Sequence, residues 1–150
     1  MIAFGERLAA SLPPRALVFL RGDLGAGKTT LAKGIAKGLG AATPEEVSSP
    51  TFTLIQEYGD PVRMYHIDLY RLDSPRQLAS LGLEEIFERE AVVVVEWAEK
   101  FARWLPPEHI TVTLTREAAG RHGEEFRDQS AGADTRVITV EFAGSSGGQV

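Results

Sequence analysis

A glycine-rich segment near the start of the chain carries the strongest chemical signal. It reads Gly22-Asp23-Leu24-Gly25-Ala26-Gly27-Lys28-Thr29 and fits the pattern G-x-x-x-x-G-K-[ST]. Glycines let backbone N–H groups curl around a phosphate chain at close range. A lysine and a threonine after them suit the β- and γ-phosphates and the Mg²⁺ that bridges these phosphates. The segment therefore predicts a nucleotide-binding loop, and the alternative is a glycine-rich turn with a helix-capping threonine.

The residues on either side of this loop predict the elements that must position it. Leu17 to Leu20 is a short apolar run, typical of a strand buried on both faces of a parallel sheet. Thr29 to Leu39 has apolar residues at helical spacing, and Gly40 lies beyond its end. A strand, a glycine loop and a helix begin a βαβ unit. The positive end of the helix dipole then adds to the phosphate site.

Glu96 ends a second apolar run, Ala91 to Val95, which predicts another buried strand. In P-loop proteins the acid that supports Mg²⁺ sits at the end of such a strand. We expect Glu96 to reach the metal directly or through a water, or to orient an attacking water. A solvated residue at a strand end is the alternative.

A further pair of strands is predicted at Thr53 to Tyr58 and Met64 to Leu69, antiparallel because they are close in sequence. His66 and Asp68 lie two apart on the second strand and so share a face, which Tyr70 would continue. One interpretation places Asp68 near Mg²⁺ or the attacking water. The others are a solvent-facing strand side, or a His–Asp pair that holds the fold.

The loop after the first βα unit contains Ser48-Ser49-Pro50-Thr51. In switch nucleotidases a threonine from such a loop reaches Mg²⁺ when the γ-phosphate is present. Ordinary turn chemistry of a Ser/Pro pair is the competing interpretation.

The rest of the chain predicts one α/β domain over residues 1–143, with a P-loop NTPase-like, mixed and mostly parallel sheet flanked by helices. We expect Glu117 to Thr135 to form a mobile loop and Gly144 to Val150 a flexible Gly/Ser-rich tail. Further helices are predicted at Phe4–Leu12, at Glu99–Trp104, and from Ser74-Pro75 through Phe87 with an interruption at Gly82. Further strands are predicted at Ile110–Thr115 and Val137–Phe142. Trp97 and Trp104 are expected to be packing anchors.

Composition narrows the function classes. The net charge is −5 with no basic run, which disfavours autonomous nucleic-acid binding. Cysteine is absent, so disulfides, thiolate metal sites and cysteine nucleophiles are excluded. These features and the lack of a membrane-length apolar run or a signal peptide favour the cytoplasm. Asparagine is also absent, so the guanine-reading pattern N-K-x-D cannot occur and a GTPase is disfavoured.

Four segments occur together in a characteristic order: Gly22–Thr30, Ser49–Leu54, Tyr65–Leu72 and Val95–Trp97. Over residues 4–116 their order and spacing resemble the bacterial TsaE family, also called YjeE. The resemblance implies a P-loop ATPase that works with TsaB and TsaD in forming N6-threonylcarbamoyladenosine at position 37 of tRNAs that read codons beginning with A. It also implies that the family member does not itself transfer the threonylcarbamoyl group, and that it meets tRNA only through the complex.

The resemblance also implies roles for individual residues. Thr29 and Glu96 would bind Mg²⁺, and Gly25 to Thr30 would hold the phosphates of ATP. Thr51 would belong to a switch-like loop, and Asp68 would be needed for hydrolysis, with Lys28 and Glu96 completing the catalytic set. Family members usually have a strand before the first helix that helps hold adenine. This chain begins at about that helix, so no adenine ligand is predicted.

Two other function classes remain open from the sequence. A small-molecule kinase would need an arginine-bearing lid. Four arginines in the second half of the chain could form one: Arg116, Arg121, Arg127 and Arg136. A non-catalytic scaffold would bind ATP to order the loop from Ala41 to Thr51 and dock a partner.

Overall fold

A seven-stranded mixed sheet forms the centre of the computed structural model, which describes residues 1–23, 27–116, 126–128 and 136–143. The spatial order of the strands in this described part is β2-β3-β4-β1-β5-β7-β6. The strands are β1 (Ala16–Arg21), β2 (Ile55–Tyr58), β3 (Met64–Asp68), β4 (Val92–Glu96), β5 (His109–Arg116), β6 (Phe126–Asp128) and β7 (Arg136–Ala143).

The four central strands β3, β4, β1 and β5 are paired in parallel, and β2, β7 and β6 join them antiparallel. The predicted α/β class and mixed sheet are thus confirmed, including the antiparallel β2–β3 pair. The continuous apolar runs in β1 and β4 are explained by their central place, because helices or other segments cover both faces there.

Helices pack on both faces of the sheet. They are α1 (Ile2–Ser11), α2 (Lys28–Gly38), α3 (Pro75–Ala79) and α4 (Leu83–Phe87), with short 3₁₀ segments at Pro44–Glu46 and Ala98–Trp104. The predicted helix start at Ser74 is confirmed, since its Oγ accepts a hydrogen bond of 3.2 Å from the Gln77 N–H. Gly82, with φ of 69°, separates α3 from α4 as the sequence indicated.

Strand alternation divides the core into two layers. Val18 and Leu20 of β1 pack with α1 and α2, whereas Phe19 packs on the opposite layer with residues of α3, α4 and the second 3₁₀ segment. Met64 lies in the first layer, so His66 and Asp68, at the same parity of β3, face the α2 side of the sheet. This places both polar side chains beside the start of α2.

Three sequence predictions need correction or lie outside the described residues. The strand predicted from Thr53 begins only at Ile55, because Leu54 takes a left-handed conformation with φ of 71°. The loop predicted for 117–135 is interrupted by β6, which pairs with β7; three residues are too few to show a strand periodicity. The rest of that stretch and the tail at 144–150 lie outside the described residues. No described helix is long and apolar enough to span a membrane.

Glycines at the α1–α2 crossing allow the two helices to touch backbone to backbone. A Cβ on Gly5 would lie 2.7 Å from the Leu31 carbonyl oxygen, and one on Gly34 would overlap the Ile2 carbonyl oxygen. Since α2 begins at Lys28, this close packing of α1 fixes the helix that carries the predicted phosphate-binding residues.

We predict that Gly34→Ala destabilises the protein, although Ala normally favours a helix interior over Gly by about 1 kcal/mol. The added methyl must push α1 away, at a cost of about 1–3 kcal/mol. Thermal unfolding should then show a midpoint lowered by roughly 2–4 °C for each kcal/mol lost.

Lys37→Ala is the matched control on the same helix. Lys37 Nζ lies 3.4 Å from Glu6 Oε2 in an exposed ion pair between α1 and α2, so removing it should change stability by less than about 1 kcal/mol. Equal effects of the two substitutions, or a stabilised Gly34→Ala variant, would contradict the close backbone packing.

Candidate functional site

Three neighbouring parallel strands end at the same edge of the sheet. In their register Leu20 of β1 lies opposite Glu96 of β4, and Glu96 lies opposite Asp68 of β3. β1 continues directly into the glycine-rich loop, and α2 starts at its far end. The two acids therefore lie beside the loop, in the crevice at the carboxyl ends of the strands where α/β proteins bind ligands.

A cavity of about 370 Å³ occupies this crevice, which is within the usual size range of ligand sites. Its lining residues are Gly27, Lys28, Thr29, Thr30, Ser49, Thr51, Asp68, Tyr70, Glu96 and Trp97. The fold thus brings together the predicted loop, strand-end acids and Thr51. Asp23 is exposed, whereas Gly25 and Ala26 lie outside the described residues.

Lys28 is buried, with 5% of its surface exposed, at the first position of α2. Its ammonium donates a 2.7 Å hydrogen bond to the Gly22 carbonyl and sits 3.8 Å from the centre of the Trp97 ring. Gly27, with φ of 104°, turns the chain into the helix, a conformation that favours glycine. Within the described residues no carboxylate pairs with Lys28, so its charge is not neutralised and can act on an anion.

Thr51 is tied to Asp68 across the cavity. The Thr51 hydroxyl donates a 2.9 Å hydrogen bond to Asp68 Oδ2, and Ser49 Oγ lies 2.8 Å from the same hydroxyl. Asp68 Oδ1 accepts a 2.8 Å bond from the Tyr70 N–H. The loop that carries Thr51 is thereby joined to the end of β3. Thr51 therefore makes a long-range contact in addition to any hydrogen bonds of a local turn.

His66 pairs with Glu96, and the two alternatives considered for His66 are both wrong. The side chain is fully buried, which excludes a solvent-facing role, and its Nε2 lies 2.7 Å from Glu96 Oε2 on the next strand. Asp68 is turned toward Thr51 instead. The parallel register explains the pairing. Glu96 lies opposite Asp68, and its long side chain reaches back along the same face of the sheet to His66, two residues before Asp68.

Two contacts, one in the cavity and one in the loop beside it, were not predicted from the sequence. Trp97, expected to be a packing anchor, lines the cavity and contacts the Lys28 ammonium; its position directly after Glu96 was the available signal. Lys33 donates to the carbonyls of Pro44, at 2.9 Å, and Val47, at 2.5 Å, which ties α2 to the loop before Ser48. Nothing in the sequence pattern indicated that contact. Trp104 was also expected to pack, but it is half exposed.

The oxygen donors of the cavity fit a magnesium ion whose remaining ligands come from phosphate. Thr29 and Glu96 both line the cavity, and a hydroxyl and a carboxylate are hard oxygen donors. Among the described residues no group of three or more His, Cys, Asp or Glu side chains is placed to hold a metal. A bound Mg²⁺ would therefore need phosphate oxygens and waters to complete its octahedral shell, as it does in P-loop sites.

A buried strand, a glycine loop and a Lys-Thr helix start at the carboxyl edge of a parallel sheet define the P-loop class of α/β proteins. The family model described as threonylcarbamoyl adenosine biosynthesis protein TsaE matches residues 1–124. This chain belongs to the TsaE family, and the resemblance seen in the sequence is confirmed.

Several similar proteins carry the name tRNA threonylcarbamoyladenosine biosynthesis protein TsaE. The Bacillus subtilis protein is 40% identical over 144 residues, covering 95% of this chain and 80% of its own length. The Nostoc protein is 44% identical over 130 residues, covering 83% and 75% respectively. The Haemophilus influenzae protein is 40% identical over 120 residues, covering 76% and 75%.

The crystal structure of Bacillus subtilis YdiB has a similar fold. It superposes with a TM-score of 0.65 and 32% sequence identity, covering 97% of this chain and 79% of YdiB.

We predict that Thr51→Val loosens the loop without disturbing the sheet. The substitution keeps the side-chain shape and removes the hydrogen bonds to Asp68 and Ser49, of which the bond to the Asp68 carboxylate is worth about 1.5–3 kcal/mol. Hydrogen exchange at the backbone amides of residues 51–54 should become roughly 10-fold faster or more, while amides of β3 and β4 keep their protection.

Ser48→Ala serves as the control in the same loop. Its hydroxyl makes no hydrogen bond within the described part of the chain, and only its backbone N–H reaches Tyr58, at 3.5 Å. The coupling between the loop and β3 would be disproved by equal exchange rates in Thr51→Val and the unsubstituted protein.

Proposed function

We propose that this chain is a Mg²⁺-dependent ATPase that acts in forming N6-threonylcarbamoyladenosine at position 37 of tRNAs that read codons beginning with A. One observation carries the ATPase proposal: Lys28 and Thr29 at the start of α2 share one cavity with Asp68 and Glu96. A cation, a hydroxyl and two carboxylates in this arrangement suit a triphosphate with its metal. Membership in the TsaE family supports the pathway.

Phosphate binding is assigned to the loop and the first turn of α2. Lys28 would leave the Gly22 carbonyl for the β- and γ-phosphates, because a charged acceptor binds an ammonium more strongly than a neutral one. The backbone of the loop would hold the remaining phosphate oxygens. The residues of this set are Gly22, Asp23, Gly25, Ala26, Gly27, Lys28, Thr29 and Thr30.

Magnesium is assigned to Thr29 and Glu96. The metal, when bound with ATP, neutralises charge that develops on the phosphates during transfer to water. Asp68 accepts hydrogen bonds at both oxygens, yet each carboxylate oxygen has a second lone pair for a water. Asp68 would therefore orient the attacking water while it holds Thr51 at the phosphate side of the cavity.

The partners proposed are TsaB and TsaD homologues in the cytoplasm, with tRNA met only through that complex. Two exposed aromatic side chains support a protein partner here: Tyr70, which lines the cavity and is 47% exposed, and Phe52, which follows the cavity-lining Thr51 and is 82% exposed. Phe52 follows Thr51 directly, so a reorientation of Thr51 on nucleotide binding would also change part of this surface. The chain would not itself transfer the threonylcarbamoyl group.

Lys28→Ala should weaken MgATP binding by roughly 10- to 150-fold, the cost of a lost hydrogen bond to a charged group. Titration calorimetry with Mg²⁺ and ATP measures this change. Lys37→Ala, on the exposed side of the same helix, should bind as the unsubstituted protein does. Absence of MgATP binding by the unsubstituted protein would end the ATPase proposal, and equal affinities for all three proteins would contradict the role of Lys28.

Asp68→Asn should slow ATP hydrolysis about 100-fold or more, because the amide orients water poorly, while ATP affinity changes less than about 3-fold. The readouts are phosphate release and tRNA modification with TsaB and TsaD over several turnovers. Modification should stop after about one round. Undiminished multiple turnover with hydrolysis lost would instead favour the ATP-dependent scaffold.

Following the phosphate released from ATP also distinguishes the proposed ATPase from a small-molecule kinase. Label transferred from ATP to a metabolite instead of water would favour a kinase. The side chains of Arg116, Arg121, Arg127 and Arg136, which would form its lid, lie outside the described part of the protein.

A further inference from the structure

A buried histidine lies directly behind the cavity, and the reaction described above makes no use of it. His66 is fully buried, whereas its partner Glu96 lines the cavity. The 2.7 Å bond between His66 Nε2 and Glu96 Oε2 is, among the described residues, the one hydrogen bond that either side chain makes. The histidine therefore touches the site only through the carboxylate of Glu96.

The chemistry of a carboxylate assigns the direction of this contact. An ionised carboxylate can only accept, so Nε2 of His66 carries the proton and donates it. The other ring nitrogen, Nδ1, is buried and has no partner among the described residues. Leaving a buried polar atom unpaired costs about 1–3 kcal/mol.

The stability of the fold does not by itself explain a histidine at position 66. β3 and β4 are already paired over five residue pairs, so the strands do not need a side-chain bond to hold their register. Met64, at the same parity of β3, and Val94, opposite His66, are apolar members of the core. Replacing both members of a buried pair by apolar residues is often neutral or stabilising, so the core does not need the His66–Glu96 pair as such. Removing His66 alone would leave the buried Glu96 carboxylate unpaired, so the reason for a histidine at position 66 lies in Glu96.

We propose that His66 is a positioning residue for Glu96, an inference that rests on the proposed Mg²⁺–ATP site. By donating to Oε2, His66 fixes the rotamer of the carboxylate and leaves Oε1 for the metal or a water bound to it. Within the described residues, no hydrogen bond is made to Oε1. The backbone of Glu96 is held from the same side, because its carbonyl accepts a 3.1 Å bond from the Leu69 N–H just beyond β3.

Partners that orient a metal ligand commonly change metal affinity by about 10- to 100-fold when they are removed. His66 is thus expected to set the Mg²⁺ concentration at which ATP binds tightly. It is not expected to affect the phosphate contacts of Lys28 and the loop, because those residues belong to the loop and to α2, and none of them that the structure describes makes a hydrogen bond to His66.

The test compares His66→Gln with His66→Asn. The Gln amide reaches about as far as Nε2 and can still donate to Glu96, whereas the shorter Asn amide ends near the position of Nδ1. Calorimetry with ATPγS would be run across a Mg²⁺ titration and again in EDTA, together with thermal unfolding of each variant. Met64→Leu, on the same strand and face, controls for a change in core packing.

His66→Asn should raise the Mg²⁺ concentration needed for half-maximal ATPγS affinity about 10- to 100-fold. His66→Gln and Met64→Leu should stay within about 3-fold of the unsubstituted protein, and affinity in EDTA should be unchanged in all variants. The positioning role would be overturned by any of three results. They are an equal Mg²⁺ dependence of His66→Gln and His66→Asn, a loss of ATPγS affinity in EDTA for His66→Asn, and failure of both variants to fold. If the unsubstituted protein binds no ATPγS with Mg²⁺, the proposed function itself fails.

Discussion

Asp68, Glu96 and the start of the glycine loop lie together because β3, β4 and β1 are paired in parallel and end at the same level. This register brings two acids from strands far apart in the sequence to within reach of Lys28 and Thr29. A shift of one residue in either pairing would turn an acid to the opposite face of the sheet. The parallel register is therefore the constraint on which the proposed metal site, the loop contact and the cavity all depend.

The same edge concentrates buried polar groups, which are costly unless each has a partner. Lys28 is held by the Gly22 carbonyl and the Trp97 ring, and Asp68 by Thr51 and the Tyr70 N–H. His66 and Glu96 pair with each other, and among the described residues Nδ1 of His66 is the fully buried side-chain nitrogen or oxygen that lacks a partner. The buried polar groups at this edge are thus held in place by contacts within the protein. In the part of the chain that the structure describes, Lys28 has no ionic partner and Oε1 of Glu96 has no hydrogen-bonding partner that would compete with a bound ligand's phosphate or metal.

The loop between α2 and β2 is anchored at two points of different character. Lys33 binds its first part to α2 through the carbonyls of Pro44 and Val47, and Thr51 binds its later part to Asp68. The first anchor uses two backbone acceptors and lies away from the cavity, whereas the second is a single hydroxyl bond at the cavity wall. A ligand that competes for Thr51 would release or reorient only the later part, which carries exposed Phe52.

The sequence by itself determined the strand–loop–helix unit, the helix break at Gly82 and the strand ending at Glu96, because apolar runs, glycines and capping residues act over a few positions. It also placed the acids at strand ends. Only the tertiary structure decided that His66 pairs with Glu96, that Trp97 covers Lys28 and that Lys33 holds the loop. Those contacts depend on strand order, register and side-chain reach, which local spacing does not encode.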